Sequence, residues 1–403
     1  MKKETIGRGF RIPGFKTAGI FCGIKPNRQK DLALIYSEEP SVAAGVFTSN
    51  KVVSPTITWC QKILKSSKNF RAIIVNSGNA NACTGPKGME DCKHVASSLS
   101  KKLLVDPKEI LIASTGIIGV PLPRNKIINA LPTLTSKLSP TGWPRSAKAI
   151  MTTDLIPKFK SFSFHIGRHK ITIGGIAKGS GMIHPNMATM LAFIATDAAI
   201  DKNTLKRALR ETNNRTFNRI TVDGDTSTND MALIFANGKA GNKSIRFGSS
   251  AYKKFVEKLT ALCLYLAHKI VLDGEGATKF VTIRVQGTRA KIHAHRIAQS
   301  VATSSLVKTA LFGQDPNWGR IIAAVGYAGV PLNSNRLKIS LNGSVLFNNG
   351  VPTKGALQST LRKKMKNKNI SIVIDLKSGI YSDEIYTCDL SYDYVRINAE
   401  YTT

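Results

Sequence analysis

Lys178-Gly-Ser-Gly-Met-Ile-His-Pro-Asn-Met-Ala-Thr189-Met-Leu-Ala-Phe193 changes character at its middle. The first half holds glycines, a lysine and a proline, residues that break regular structure. The second half, from Met187 to Ile194, is an apolar run of strand type that carries one hydroxyl, that of Thr189. A β-branched residue in a strand is ordinarily structural. Here a small residue precedes it and the lead-in is polar and glycine-rich, so the Ala188–Thr189 peptide is open to attack by the Thr189 hydroxyl itself. Water would cut the resulting ester and leave Thr189 with a free α-amino group beside its own Oγ. An α-amine, with an ordinary pKa of about 7.7–8.0, serves as a base for such a hydroxyl.

On either side of this stretch lie loops suited to chemistry at a carbonyl. Upstream, Ile110-Leu-Ile-Ala-Ser-Thr-Gly-Ile-Ile-Gly-Val-Pro-Leu-Pro123 runs from an apolar strand into glycines and prolines. Taken alone it reads as a strand exit. Thr115 and Gly116 nonetheless place a hydroxyl beside a glycine N–H, the donor pair that an oxyanion needs. The run Ala72-Ile-Ile-Val-Asn-Ser-Gly-Asn-Ala-Asn-Ala-Cys-Thr-Gly85 is a buried strand followed by small polar residues, either a turn or a place where backbone amides approach a ligand. Lys178, set between an apolar strand and Gly179-Ser-Gly181, reads either as a surface lysine or as one held inward, where its charge would stabilise an anion or pair with a carboxylate. Downstream, Asp273-Gly-Glu-Gly-Ala-Thr-Lys279 follows a long amphipathic helix. It presents Glu275 between two glycines, either as a turn acid or as a partner for an ammonium group.

The stretch from Lys178 to Leu191 resembles, without gaps, the self-cleavage signature of the ornithine acetyltransferases (glutamate N-acetyltransferases) of arginine biosynthesis, in monofunctional or bifunctional form. Asp-Gly-Glu-Gly-Ala-Thr-Lys resembles that family's second signature, and the likeness extends from Gly14 to Thr403. The resemblance implies an α/β fold, a layered helix-sheet-sheet-helix sandwich like that of N-terminal-nucleophile hydrolases, with a smaller C-terminal subdomain. It implies cleavage after Ala188 into chains 1–188 and 189–403 that stay together as one intertwined unit, and an assembly of two chains of each kind. Thr189 would be the nucleophile, with Thr115 and Gly116 as the oxyanion hole. Thr152 (or its neighbour Thr153), Lys178, Thr189, Glu275, Asn398 and the terminal Thr403 would contact substrate. The reaction implied moves acetyl from N2-acetylornithine to L-glutamate without cofactor or metal. Acetyl-CoA enters as a co-substrate if the enzyme is bifunctional.

The rest of the chain fits that frame. At 403 residues, with 42% hydrophobic and 21% charged, the sequence is that of a globular protein too long for one small core. No apolar run approaches the ~18 residues of a transmembrane helix, and the apolar stretch at Gly19–Gly23 is too short for a signal core, so a cytoplasmic location is expected. The six cysteines form no CxxC pair and read as reduced thiols. The net charge of +33 would suit nucleic acid, but Lys and Arg are spread along the chain, so no specific nucleic-acid partner is expected; a basic nucleic-acid binder with an inactive site is the alternative. Asp223, Asp225 and Asp230 have hard-cation character, yet no glutamate follows at the EF-hand position, and the loop is read without a metal. Asp315, Asn317 and Arg320 are expected to support the site. Helices are expected over 200–212, 251–272, 295–311 and 354–366, and strands over 31–36, 43–50, 338–341 and 370–375.

Overall fold

The structure is a computed structural model and describes residues 9–184, 190–354 and 359–400, with the side chains of Ser359 and Thr360 left aside. The first two thirds of the chain run β1 (Phe15–Ile20), β2 (Leu32–Phe47), α1 (Pro55–Ser66), β3 (Phe70–Asn79), α2 (Gly85–Leu103), β4 (Ile110–Ile117), α3 (Arg124–Ser136), α4 (Trp143–Ala149), β5 (Lys158–Ile166), β6 (His169–Lys178), β7 (Leu191–Thr196), α5 (Lys202–Arg215), β8 (Met231–Ala236) and α6 (Ser250–Leu272). Their strands lie in the order β4-β3-β2-β8-β7-β6-β5, with β1 added on β2.

Strand β2 organises this sheet. Its first half, Leu32 to Ser37, pairs with β1 and β3, and its second half, Val42 to Phe47, pairs with β8. Two strands over 31–36 and 43–50 were expected; one strand with a register break between Tyr36 and Ser41 is observed. Pro40 falls within that break, where a residue without an N–H is harmless because the ladder is changing partners. The two halves enclose one core. Leu191, Phe193 and Ala195 of β7 and Met231, Leu233 and Phe235 of β8 share a cluster with Leu32, Leu34, Ile73 and Val75. The alternate residues Ala192, Ile194, Ala232 and Ile234 face a second core built with Leu205 and Leu209 of α5 and Phe255, Leu259, Leu262 and Leu266 of α6. A strand buried on both faces needs apolar residues at every position, which is why Leu191–Ile194 reads as an unbroken apolar run. Helices α5 and α6 thus cover one half-sheet and α1 to α3 the other, giving the layered α/β architecture expected.

The remaining chain forms the smaller subdomain: β9 (Phe280–Thr288), α7 (Lys291–Thr303), α8 (Ser305–Phe312), α9 (Trp318–Gly326), β10 (Lys338–Leu341), β11 (Ser344–Asn348), β12 (Val351–Pro352), α10 (Ser359–Met365), β13 (Asn369–Asp375), β14 (Tyr381–Cys388) and α11 (Tyr392–Glu400). Its strands are ordered β12-β11-β10-β13-β9-β14 around a third core in which Ile297 and Val301 of α7 meet Val281, Ile283, Ile339 and Ile372. The expected helix over 295–311 is two helices. Ser304 ends α7 and caps α8, its hydroxyl accepting from Val307 N–H at 3.4 Å, and side-chain caps of this kind start a new helix in a new direction. Asp315, Asn317 and Arg320, expected to support the site, are not among the residues that line the cleft described below. The Asn317 carboxamide caps α9 by accepting from Arg320 N–H at 3.1 Å, and the Arg320 guanidinium donates to the Leu306 carbonyl at 2.9 Å.

Candidate active site

Strand β6 ends, and strands β7 and β8 begin, at one edge of the sheet, and the end of β4 meets them there through the contact of Lys178 Nζ with Thr115 Oγ1. Register sets Lys178, the last residue of β6, against Leu191, and Leu191 against Met231. A cleft of about 740 Å³, open mouth included, lies there, lined by Thr115, Gly116, Thr152, Thr153, Lys178, Glu275 and Asn398 among others. Residues far apart in sequence and singled out from it therefore share one wall. Ala188 and Thr189, at the expected cleavage position, and Thr403 lie outside the described residues.

Gly116 has φ of +133°, and a Cβ there would overlap the Gly78 backbone, so only glycine fits. The exit of β4 is further pinned by Asn229, whose amide donates to the carbonyls of Ala80 at 2.6 Å and Ser114 at 2.8 Å. Lys178 is 5% exposed and its Nζ donates to Thr115 Oγ1 at 3.4 Å. With one lone pair taken by the lysine, the Thr115 hydroxyl keeps its own proton to donate into the cleft. Burial pushes the Lys178 ammonium pKa down, and Lys158 adds to this; Asp154, Asp230 and Glu275 pull it back up.

Beneath the cleft lies a buried ionic triad that sequence reading missed. Lys158 Nζ sits 2.6 Å from Asp154 Oδ1 and 2.6 Å from Asp273 Oδ2, with all three side chains almost wholly buried. Asp154 also accepts from Gly179 N–H at 2.7 Å and Thr152 N–H at 3.0 Å, which fixes the backbone on both sides of the cleft. Burial alone would raise the Asp154 pKa, but Lys158, Lys178 and these N–H donors outweigh it and hold the carboxyl far below its ordinary range. Asp273 is shifted upward by burial, against the pull of Lys158. Lysine at position 158 opens an alternating strand pattern, and nothing in that pattern distinguishes a buried lysine from an exposed one.

Glu275 approaches from the end of α6. Its N–H donates to the Ser180 carbonyl at 3.0 Å, and its Oε2 accepts from Asn398 Nδ2 of α11 at 2.9 Å. A Cβ on Gly181 would overlap the Glu275 carboxylate, so that glycine is the space the acid occupies. Of the two threonines left open by the sequence, Thr153 Oγ1 is bonded to Ser180 Oγ at 2.7 Å, whereas the Thr152 backbone is held by Asp154; both line the cleft. Asp223 takes three N–H donors, Met182 at 2.5 Å, Ile183 at 2.8 Å and Asp225 at 3.3 Å. Burial lifts its pKa to about 6 despite them. The acidic loop thus anchors the backbone at Met182 and Ile183, and among the described residues no cluster of three or more His, Cys, Asp or Glu side chains forms a metal site. Tyr394 of α11 closes the cleft beside Asp223, a contact that a C-terminal helix without an apolar stripe gives no sign of.

Known proteins resemble this chain over most of its length. The ArgJ family profile matches residues 16–403. The chain is 46% identical over 393 residues to the arginine biosynthesis bifunctional protein ArgJ of Geobacter sulfurreducens, covering 97% of this chain and 100% of that protein. It is 43% identical over 403 residues to the protein of the same name from Symbiobacterium thermophilum, covering 99% and 100%. Among solved structures, that of the arginine biosynthesis bifunctional protein ArgJ from Bacillus halodurans aligns with a TM-score of 0.51 and 41% identity, over 53% of this chain and 100% of that one.

Proposed function

The chain belongs to the ArgJ family, and from that premise we propose that it transfers acetyl from N2-acetylornithine to L-glutamate through an acyl-enzyme on Thr189. The observation that carries this reading is the convergence of Thr115, Gly116, Lys178, Glu275 and Asn398 on one cleft at the edge where β7 starts, two residues after Thr189 in sequence. The freed α-amine takes the Thr189 hydroxyl proton as Oγ attacks the acetyl carbonyl. The Thr115 hydroxyl and Gly116 N–H receive the oxyanion. Lys178 offsets the negative charge, and Glu275, oriented by Asn398, binds the amino acid's ammonium group. Ornithine departs, glutamate enters, and its amine takes the acetyl group from the ester. The name "bifunctional" carried by the relatives favours acetyl-CoA as a second acyl donor to the same threonine. Among the described residues no helix is long and apolar enough to cross a membrane, and we place the enzyme in the cytoplasm as an assembly of two chains of each kind.

The length of the solved relative supports processing. It is covered in full by 53% of this chain, and residues 189–403 number 403 − 188 = 215, the same share. Intact mass under denaturing conditions tests the reading. Two chains are expected, the second starting Thr-Met-Leu-Ala-Phe, and Thr189→Ala is expected to stay whole. A wild-type protein that remains one chain overturns it. In two-substrate kinetics parallel lines are expected, and intersecting lines rule out the acyl-enzyme. Gly181→Ala displaces the Glu275 carboxylate, so KM for the amino-acid substrates is expected to rise about 10-fold or more, the loss of one charge-assisted hydrogen bond of ~1.5–3 kcal/mol. An unchanged KM would mean that Glu275 does not hold the substrate.

A further inference from the structure

Asp230, the residue before β8, has no part in the scheme above. It is 1% exposed, and its Oδ2 has no hydrogen-bond partner among the described residues. Buried polar atoms are almost always paired, so an exception calls for a cause. Met190 N–H and the N–H and hydroxyl of Ser227 lie near enough to the carboxyl to favour its charged form. The geometry of the strands explains the first contact: parallel pairing of β7 with β8 aligns Leu191 with Met231, which puts Asp230 beside Met190, and Met231 N–H donates to the Met190 carbonyl at 3.2 Å. On the opposite side β6 brings Lys178 against Leu191. From β2 the neighbour is Thr48, whose N–H donates to the Asp230 carbonyl at 3.0 Å. The entry to β7 therefore runs between a buried lysine and a buried acid, and Thr189 is the residue that precedes Met190.

We propose that Asp230 serves the self-processing step: it holds the peptide that follows the Ala188–Thr189 bond and delivers a proton to the nitrogen released when that bond breaks. This rests on Thr189 being the nucleophile. Before the step there are three protons to place, on the Asp230 carboxyl, the Thr189 amide nitrogen and the Thr189 hydroxyl. The hydroxyl oxygen bonds to the Ala188 carbonyl carbon, the C–N bond breaks, and its electron pair stays on nitrogen. All three protons end on that nitrogen as an ammonium group, paired with the Asp230 carboxylate. Water then hydrolyses the ester, restoring the Thr189 hydroxyl and giving the Ala188 carboxylate and one proton to solvent. Burial raises the Asp230 pKa well above the ordinary carboxylate range, against the pull of Lys178, which favours the proton-bearing form. Afterwards the oxygen that lacked a partner has one, and loss of one proton from the ammonium group to solvent leaves the new amino terminus as the neutral base that acyl transfer uses.

The test follows cleavage by intact mass after cell-free synthesis of the full chain, across pH 5 to 9. Asp230→Asn keeps an acceptor for Met190 N–H but carries no acidic proton. It is expected to melt close to the uncleaved Thr189→Ala protein and to cleave ~10²-fold more slowly, the usual worth of a positioned proton donor. Wild-type cleavage is expected to slow as the pH rises through the Asp230 pKa, and the residual Asn-variant rate to lack that fall. Asp230→Asn cleaving at the wild-type rate overturns the proposal. So does a wild-type rate that only climbs with pH, a measurement that needs no variant to fold. Cleavage of Thr189→Ala at the same bond would instead overturn the nucleophile assignment, and Asp230's role with it.

Discussion

Thr115→Ala is expected to lower kcat about 10²–10³-fold while KM moves little, the signature of a donor used mainly in the transition state. The reason lies in the arrangement of three atoms. Lys178 Nζ donates to Thr115 Oγ1 at 3.4 Å, which leaves the hydroxyl proton free for the oxyanion. Alanine removes that donor and leaves the buried ammonium without its hydroxyl acceptor. Thr115→Ser keeps the hydroxyl and is expected to recover most of the rate. Steady-state kinetics on the processed enzyme decide the matter. If alanine and serine variants behave alike, the Thr115 hydroxyl is not an oxyanion donor and Thr115 is a packing residue.

Lys158→Met is expected to cost roughly 3–5 kcal/mol of folding stability, the usual consequence of stripping one partner from a buried ionic group. Methionine fits the volume, but it leaves Asp154 and Asp273 facing each other without the cation that sits 2.6 Å from both. Asp154 gives the sign of the pH dependence. Its native pKa is lowered, so in the parent its stabilisation is complete above the ordinary carboxylate range and is lost only in acid below that range. In the variant the cation is gone, both acids are driven toward protonation, and the deficit should be largest at neutral pH and shrink toward pH 4. Denaturant unfolding of parent and variant at pH 7 and pH 4 measures it. Equal stability at pH 7 would mean that the triad is neutral or hydrated. The damage should also reach catalysis, because Asp154 holds Gly179 N–H and Thr152 N–H on both sides of the cleft.

The contrast between these two sites explains what the sequence could and could not disclose. Thr115, Gly116, Lys178 and Glu275 stand among glycines and prolines, where local composition already signals irregular backbone near a polar side chain. Lys158 and Asp154 have no such marker, since a buried lysine is recognised by what surrounds it in space, and Asp273 is 115 residues away. The apolar run at Leu191–Ile194 made a strand legible and its two-sided burial understandable. It could not say that β2 would serve two half-sheets, because a register break is a property of the partners and not of the strand. Likewise residues 295–311 keep helical spacing across Ser304, and only the cap shows that the helix stops there. Tyr394 and Asn398 reach the cleft because α11 returns to the end of α6, a long-range closure with no local trace.

The position of β7 and β8 between β2 and β6 has a further meaning if the chain is cut after Ala188 as proposed. Each product would contribute inner strands to a sheet that neither completes alone, with β2 and β6 from the first and β7 and β8 from the second. The precursor reaches this interleaved state as one molecule, so its strands meet at the high effective concentration of a tethered chain. The processed pair has no such tether. Once denatured it must find its partner by a second-order encounter, with exposed strand edges competing for the wrong ones. Processing would then act as a ratchet: the assembly instructions are read once, and afterwards the enzyme's lifetime depends on how slowly it unfolds, not on how well it refolds.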